Sequence, residues 1–231
     1  SSQTVTGDYS LSPVAMGTAQ IAATSTHADN GAPLSLANIN VSAGSMGFTA
    51  VADGIGAGLQ EPYTLNLTPA APVDVVITLT ANSNCLVAPN GSTGGTGALD
   101  VEIPSGGRQA TVTVQALEVP GANCGITAQA DNTLYTANVF TLAVRQPALR
   151  IRDLSTSTAS ASQADEFIVD IGLPRDTGTN LQWTQPLRAG GPSLEVKACN
   201  TNATVGDILG AATTKPSAAD GGSSCSEVAG A

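Results

Sequence analysis

Apolar and polar residues alternate with a period of two along much of this 231-residue chain, and no comparable stretch has the period of a helix. Residues 99–103 place three apolar side chains on one face and two acidic ones on the other. Residues 110–116 place valines on one face and threonines on the other. Similar strands are predicted at 73–80, 125–129 and 139–144.

Turn-forming sequences separate these strands at short intervals. They include PNG at 89–91, GG at 94–95 and PSGG at 104–107. About seven short strands in a hundred residues are typical of an all-β sandwich, in which each of two sheets buries one face. We therefore expect Greek-key β-sandwiches, with polar faces turned to solvent.

Segments of the chain resemble later segments in the same order, which is the signature of a repeat. Residues 28–30 recur at 130–132, residues 36–41 at 139–144 and residues 63–67 at 167–171. Residues 80–84 match 198–202, but the distance along the chain between these two segments is larger than for the other pairs. The difference places an insertion in the second copy at 175–191.

The last residues of the chain also read on into its first. SEVAGA at 226–231 followed by SSQTVT at 1–6 resembles VEIPSGGRQATVT at 101–113. We expect one complete domain at 42–146 and a second domain split between the chain ends. Residues 147–231 would supply its first strands. Residues 1–41, from a second copy or from a continued polypeptide, would supply its last strands.

Composition narrows the functional classes. Only 11% of residues are charged, the net charge is −10, and there are three Phe, three Tyr and one Trp. So few basic residues argue against nucleic-acid binding and against attraction to anionic membranes. No 18-residue apolar span is present, so we expect no membrane insertion. Ser1 is consistent with removal of a signal peptide. From the low charge content we expect a secreted protein that packs against copies of itself.

The four cysteines are Cys85, Cys124, Cys199 and Cys225. They form no CxxC motif and no Cys/His cluster, which argues against zinc. An even count fits disulfides and an oxidising compartment. Cys85 is interpreted as ending one strand and Cys124 as beginning another, so we expect them to pair, and Cys199 to pair with Cys225. Sequence alone permits three connectivities, and free buried thiols remain open.

Candidate catalytic and metal-binding residues are few. The single histidine, His27, is interpreted as a turn residue, and Lys197 as a solvated strand residue. Asp131, Asp153 and Asp176 fall in predicted turns, where calcium binding and turn capping are both open. We expect no catalytic residue, no cofactor and no resident metal.

Glycans are candidate partners. Asn40, Asn66, Asn90 and Asn202 each begin an Asn-x-Ser/Thr acceptor pattern. The Ser/Thr-rich stretch at 155–162 is a candidate for O-linked sugar. It is otherwise interpreted as an extended first strand or an interdomain connection.

Three segments carry a resemblance to a known family: VVITLTANSN at 75–84, VEIPSGGRQATVTVQAL at 101–117 and CGITAQA at 124–130. They resemble bacterial immunoglobulin-like (Ig-like) repeats, which stand in tandem along surface proteins and adhesins. The resemblance implies tandem Ig-like sandwiches that act as spacers or building blocks. The Cys…Trp…Cys spacing of antibody domains is absent, because Trp183 lies in the insertion.

Three functions are compatible with these features. The first is a secreted subunit or repeat segment of an extracellular filament, assembled head to tail with strand complementation at each contact. The second is a stalk fragment of a large bacterial surface adhesin. The third is an accessory domain of a secreted hydrolase, which the lack of an aromatic platform for sugars disfavours.

Overall fold

A computed structural model describes residues 16–22, 36–50, 52–175, 180–194 and 196 of the chain. Within these residues every regular element is a β-strand, and no helix is present. The expectation of an all-β sandwich fold is confirmed. The described part of the chain accordingly has no helix long and apolar enough to cross a lipid bilayer.

The strands follow one another in the order β1 (Gly17–Ala22), β2 (Leu36–Val41), β3 (Ser45–Ala50), β4 (Gly54–Gly56), β5 (Gln60–Thr68), β6 (Val75–Ala81), β7 (Cys85–Ala88), β8 (Ala98–Ile103), β9 (Gln109–Ala116), β10 (Asn123–Ala130), β11 (Asn138–Arg145), β12 (Ala148–Arg152), β13 (Ile168–Pro174) and β14 (Leu181–Thr184).

Strands β3 to β11 form two sheets that face each other. One sheet has the order β4-β11-β10-β6-β8 and the other has the order β3-β5-β9-β7. All pairings are antiparallel except the parallel pair β4 and β11. Consecutive strands from β5 to β10 alternate between the sheets, so these connections cross the sandwich instead of forming simple hairpins.

The core follows from the period-two pattern. One buried cluster contains the inward residues of both sheets, among them Leu65, Ile77, Val112 and Ile126. Aliphatic side chains supply most of it. Three aromatic rings pack together at one place in this core. Phe48 and Phe140 stack with 5.0 Å between ring centroids, and Tyr63 lies edge-on to Phe140 at 5.4 Å. Such ring pairs add about 0.5–1.5 kcal/mol beyond their buried area.

The predicted alternation in β9 holds only for part of the strand. Thr111 is exposed, but from Val112 onward both faces are buried, including Thr113 and Gln115. The Gln115 amide donates to the Thr93 carbonyl oxygen at 2.8 Å and accepts from the Gly95 N–H at 2.8 Å. The loop between β7 and β8 therefore covers the face that the sequence assigned to solvent.

The predicted Cys85–Cys124 disulfide is present, with the two Cα atoms 5.4 Å apart. It joins β7 in one sheet to β10 in the other, and both cysteines are buried. The interpretation that Cys85 ends a strand was wrong. Strand β6 ends at Ala81, Asn82 accepts the Asn84 N–H at 3.1 Å in a turn, and Cys85 begins β7. Cys199 and Cys225 lie outside the described residues.

The remaining described strands form two further sheets. Strands β1 and β2 form an antiparallel pair, and β12, β13 and β14 form an antiparallel sheet. The sandwich strands run from Ser45 to Arg145. Of the ranges assigned to the split domain, 1–41 lies mostly outside the described residues, and 147–231 lies outside them in part. Within them the structure describes these two sheets.

The Ser/Thr-rich stretch at 155–162 forms no strand. All of its residues are exposed, and it lies between β12 and β13. The Ser155 N–H donates to Asp165 at 2.7 Å, which lowers the pKa of that carboxyl. The interpretation of this stretch as an extended first strand was wrong, because it lies in an irregular loop that this contact closes.

Removing the disulfide is expected to destabilise the sandwich. Replacing Cys85 and Cys124 with alanine opens a loop with a sequence separation of 39 residues, which on the chain-entropy model costs about 4 kcal/mol. Urea unfolding followed by circular dichroism measures the loss. An unchanged unfolding midpoint would show that the cross-link contributes nothing to this fold.

Candidate interdomain junction and open sheet faces

The residues considered for chemistry are dispersed. His27, Lys197, Asp176 and Asn202 lie outside the described residues. Within the described ranges, no group of three or more His, Cys, Asp or Glu residues is placed to hold a metal ion. Asp131 donates its N–H to the Val76 carbonyl at 2.9 Å in a turn, and Asp153 pairs with Arg152.

The other acceptor asparagines are described. Asn40 accepts a hydrogen bond from the Thr18 hydroxyl at 2.9 Å, and Asn90 accepts from the Ser92 N–H at 2.9 Å. The Asn66 amide donates to the Thr49 hydroxyl and to the Thr64 carbonyl, each at 3.0 Å. Attaching a glycan at Asn66 would disrupt these contacts.

A short segment directly after β14 packs on one end of the sandwich. Its centre is Gln185, which is fully buried. The Gln185 amide donates to the Gly54 carbonyl at 3.2 Å and accepts from the Gly56 N–H at 2.9 Å. The Gln185 backbone N–H donates to the Ile171 carbonyl of β13 at 3.1 Å. One residue thus ties β13 to β4, and its buried polar groups are satisfied.

The backbone on either side of Gln185 continues this contact as an added strand. The Gln60 N–H donates to the Pro186 carbonyl at 2.9 Å, and the Arg188 N–H donates to the Gly58 carbonyl at 3.0 Å. Leu59 and Leu187 form an antiparallel bridge between these bonds. Main-chain pairing of this kind fixes the position of a segment along a sheet edge.

The Gln60 side chain connects this junction to the interior of the sandwich. Its carbonyl oxygen accepts from the Ala189 N–H and from the Gln115 amide, each at 3.0 Å. Its amide donates to the Gly91 carbonyl at 2.6 Å. A buried polar network therefore runs from the segment after β14 to β9 and the loop between β7 and β8. Such networks specify one arrangement when every member is satisfied.

An ion pair closes the edge of the junction. The Arg188 guanidinium donates to both carboxylate oxygens of Glu118, at 2.8 and 3.2 Å. This contact holds the pKa of Glu118 below its usual range. Because the Glu118 side chain is 47% exposed, solvent limits the contribution of the pair to about 1 kcal/mol or less.

Glu61 lies beneath the junction. It is 9% exposed, and burial raises the pKa of its carboxyl, an effect partly offset by a hydrogen bond with Gln185. Burial and the neighbouring Glu61 charge also raise the pKa of Tyr63. The buried Tyr63 hydroxyl has no hydrogen-bond partner within the described structure. A carboxyl at this place destabilises the fold when it is ionised.

The β12-β13-β14 sheet has one apolar side. Its register places five residues together on the side that we call the open sheet face: Leu149, Ile151, Val169, Ile171 and Trp183. Leu149, Ile151 and Trp183 are 49%, 54% and 36% exposed. Leu173 lies on the same side, at the end nearest β4, and is fully buried.

The opposite side of this sheet carries a cluster of ion pairs, with the exposed Ile168 beside it across from Arg152. Asp170 accepts from Arg150 at 2.7 Å and from Arg152 at 2.9 Å, and these contacts lower the pKa of Asp170. A sheet with ion pairs on one side and exposed aliphatic residues on the other has the pattern of one layer of a sandwich.

The β1–β2 pair has the same two-sided character. Its register places Ala19, Ile21, Ile39 and Val41 on one side, which we call the hairpin face, and Thr18, Gln20, Asn38 and Asn40 on the other. Ile21 is 42% exposed, and Ile39 and Val41 are half-buried. A two-stranded pair is marginally stable alone, so its apolar side requires a covering layer.

No protein-family model matches the chain, and no curated protein sequence matches it.

Sequence reasoning missed the junction residues. Gln185 and Arg188 fall in the segment interpreted as an insertion, where a glutamine and an arginine carry no pattern of their own. Gln60 and Glu61 come just before the repeated segment at 63–67, where polar residues predict exposure to solvent, whereas both are buried.

Removing the Gln185 amide is expected to weaken the junction. Gln185→Met keeps an unbranched side chain but leaves the Gly54 carbonyl and the Gly56 N–H buried without partners, at about 1–3 kcal/mol for each group. Hydrogen exchange at the Gly56 amide should accelerate, and the unfolding free energy should fall. The control is Gln182→Met at an exposed position of β14, for which a change within about 0.5 kcal/mol is expected. Equal effects of the two variants would contradict the assignment.

Neutralising Glu61 is expected to stabilise the protein at neutral pH. Because the folded pKa of Glu61 lies above its unfolded value, the folded state binds more protons between these two values, and stability falls as pH rises through that window. Glu61→Gln should therefore raise the unfolding free energy at pH 7 and change it little at pH 4. Glu102→Gln removes the same charge from an exposed position of β8. An equal gain in both variants would identify net charge, rather than burial, as the cause.

Proposed function

We propose that the chain is a secreted structural protein, a subunit or repeat segment of an extracellular filament built from Ig-like sandwiches joined head to tail. The observation that carries the proposal is the junction at Gln185. A buried side chain and an added strand hold the β12-β13-β14 sheet to the end of the preceding sandwich. Rigid joining of consecutive layers is what a fibre needs and what a flexible linker between independent domains lacks.

The fold supports this proposal. The strand order, with β4 parallel to β11 at the edge of one sheet, is compatible with the Ig-like resemblance of 75–84, 101–117 and 124–130. The Cys85–Cys124 bond between the sheets supports an oxidising, extracellular location. The low charge content supports a surface used for packing against like surfaces, and the net charge of −10 supports solubility before assembly.

The second candidate is a stalk segment of a large surface adhesin. The same observation favours it, because a rigid junction serves a continuous polypeptide as well as an assembled one. The two candidates differ in whether a peptide bond or an interface connects one copy to the next.

The test is the state of the native material. Antibodies raised against residues 42–146 would identify it in cell-surface extracts, and electron microscopy would show its form. We expect elongated particles with regularly spaced globular domains. Under denaturing and reducing conditions a band near 22.8 kDa identifies subunits, and a far larger band identifies a continuous stalk. Isolated globular particles in the native extract would contradict both.

A further inference from the structure

We propose that the open sheet face of one copy of this chain is covered by the β1–β2 pair of a second copy. This inference rests on the proposed head-to-tail assembly and names the surfaces that form it. The partner is a second copy of this chain, and the contact joins two apolar sheet faces into one sandwich core.

The complete sandwich provides the template for the receiving layer. Strands β12 and β13 pair antiparallel as β3 and β5 do. The sequence match of 167–171 with 63–67 places Val169 and Ile171 at the positions of Leu65 and Leu67, which are fully or almost fully buried. Ile151 and Leu149 lie across from Val169 and Ile171 in one sheet. Phe48 and Met46 lie across from Leu65 and Leu67 in the other.

The same template describes the covering layer. Strands β1 and β2 pair antiparallel as β10 and β11 do. The sequence match of 36–41 with 139–144 places Ile39 and Val41 at the positions of Leu142 and Val144, both buried in the core. The register of the pair then places Ala19, across from Ile39, at the position of Cys124, and Ile21, across from Ala37, at the position of Ile126. Cys124 and Ile126 are both buried.

In the complete sandwich these two layers pack directly against each other. Phe48 of β3 stacks on Phe140 of β11, and Tyr63 of β5 meets the same ring edge-on. Ala37 stands at the position of Phe140, so the hairpin face lacks that ring and covers the counterpart of β3 and β5 with the aliphatic residues Ile21, Ile39 and Val41. The open sheet face is that counterpart. The chain carries both halves of one further core.

Geometry directs this contact to a second copy. The β1–β2 pair leads into β3, whose first residue, Ser45, pairs with Thr68 at the far end of β5. The β12-β13-β14 sheet is held at the Gln60 end of the same strand. β5 has nine residues, so the two ends lie about 25 Å apart. The two faces of one copy thus stand at opposite ends of its sandwich, and such a contact repeats from copy to copy without closing.

Complementary variants test the interface on the full 231-residue chain. Ile151→Asp disables the open sheet face, and Ile21→Asp disables the hairpin face. Val139→Asp is the matched control, because Val139 is a strand residue that is 65% exposed on β11 and belongs to neither face. Analytical ultracentrifugation measures the size of each species at increasing concentration.

We expect the wild type and Val139→Asp to form long oligomers and each face variant alone to stay monomeric. An equimolar mixture of the two face variants should give a dimer and nothing larger. The intact hairpin face of Ile151→Asp covers the intact open sheet face of Ile21→Asp, and the two faces left over are both disabled. This result does not require that the altered face remain folded, because each variant contributes its intact face to the mixture.

The single tryptophan, Trp183, gives an independent readout, because it lies on the open sheet face and is 36% exposed. Its emission should shift to shorter wavelength on assembly of the wild type. The mixture should show about half of that shift, since only one of its two open faces is covered.

Three results would overturn the inference. Wild-type oligomers that form equally well in both face variants would assign assembly to another surface and leave the proposed function standing. A mixture that stays monomeric would exclude pairing of these two faces. Wild-type chains that stay monomeric with Trp183 already shielded would show that the chain covers its own face. The proposed function would then be tested only by the form and mass of the native material.

Discussion

A β-sheet with one apolar side is stable in water only when a second layer covers that side, and the rest of this structure depends on that constraint. Strands β3 to β11 satisfy it within the chain, through a core that runs from Met46 to Val144. The open sheet face and the hairpin face are apolar, as the inward sides of those strands are, and each presents exposed aliphatic residues. In the proposed assembly, the hairpin face of one copy covers the open sheet face of the next, so that both faces are buried.

The junction adds direction to this constraint. Burial of Gln185 and its bonds to the β4 backbone leave the β12-β13-β14 sheet in a fixed position on the sandwich. Polar side chains, chiefly Gln60, Gln115 and Gln185, make this contact, and the Arg188–Glu118 pair lies only at its rim. Amide networks suit a chain that is poor in charge, because an amide both donates and accepts and does not require the desolvation of an ion.

Much of the fold could be predicted from the sequence, because the period of two is a local property that each strand displays by itself. The inward residues Leu99, Val101 and Ile103 are of this kind. The Cys85–Cys124 bond was predicted instead from the even number of cysteines and their positions beside predicted strands. The burial of Gln115 and the role of Gln185 could not be predicted in the same way. Each is decided by a segment distant in sequence that covers it, and no local pattern records that contact. The start of β7 at Cys85 was also missed. It is set by a turn in which the Asn82 side chain accepts a hydrogen bond from the Asn84 N–H.

The most direct measurement is an electron cryomicroscopy map of the assembled wild-type chain at side-chain resolution. The account predicts that Ile21, Ile39 and Val41 of one copy pack against Leu149, Ile151 and Val169 of the next, with one such contact per copy along the assembly. A map in which residues 197–231 of the same copy cover the open sheet face, with the hairpin face in contact elsewhere, would contradict it.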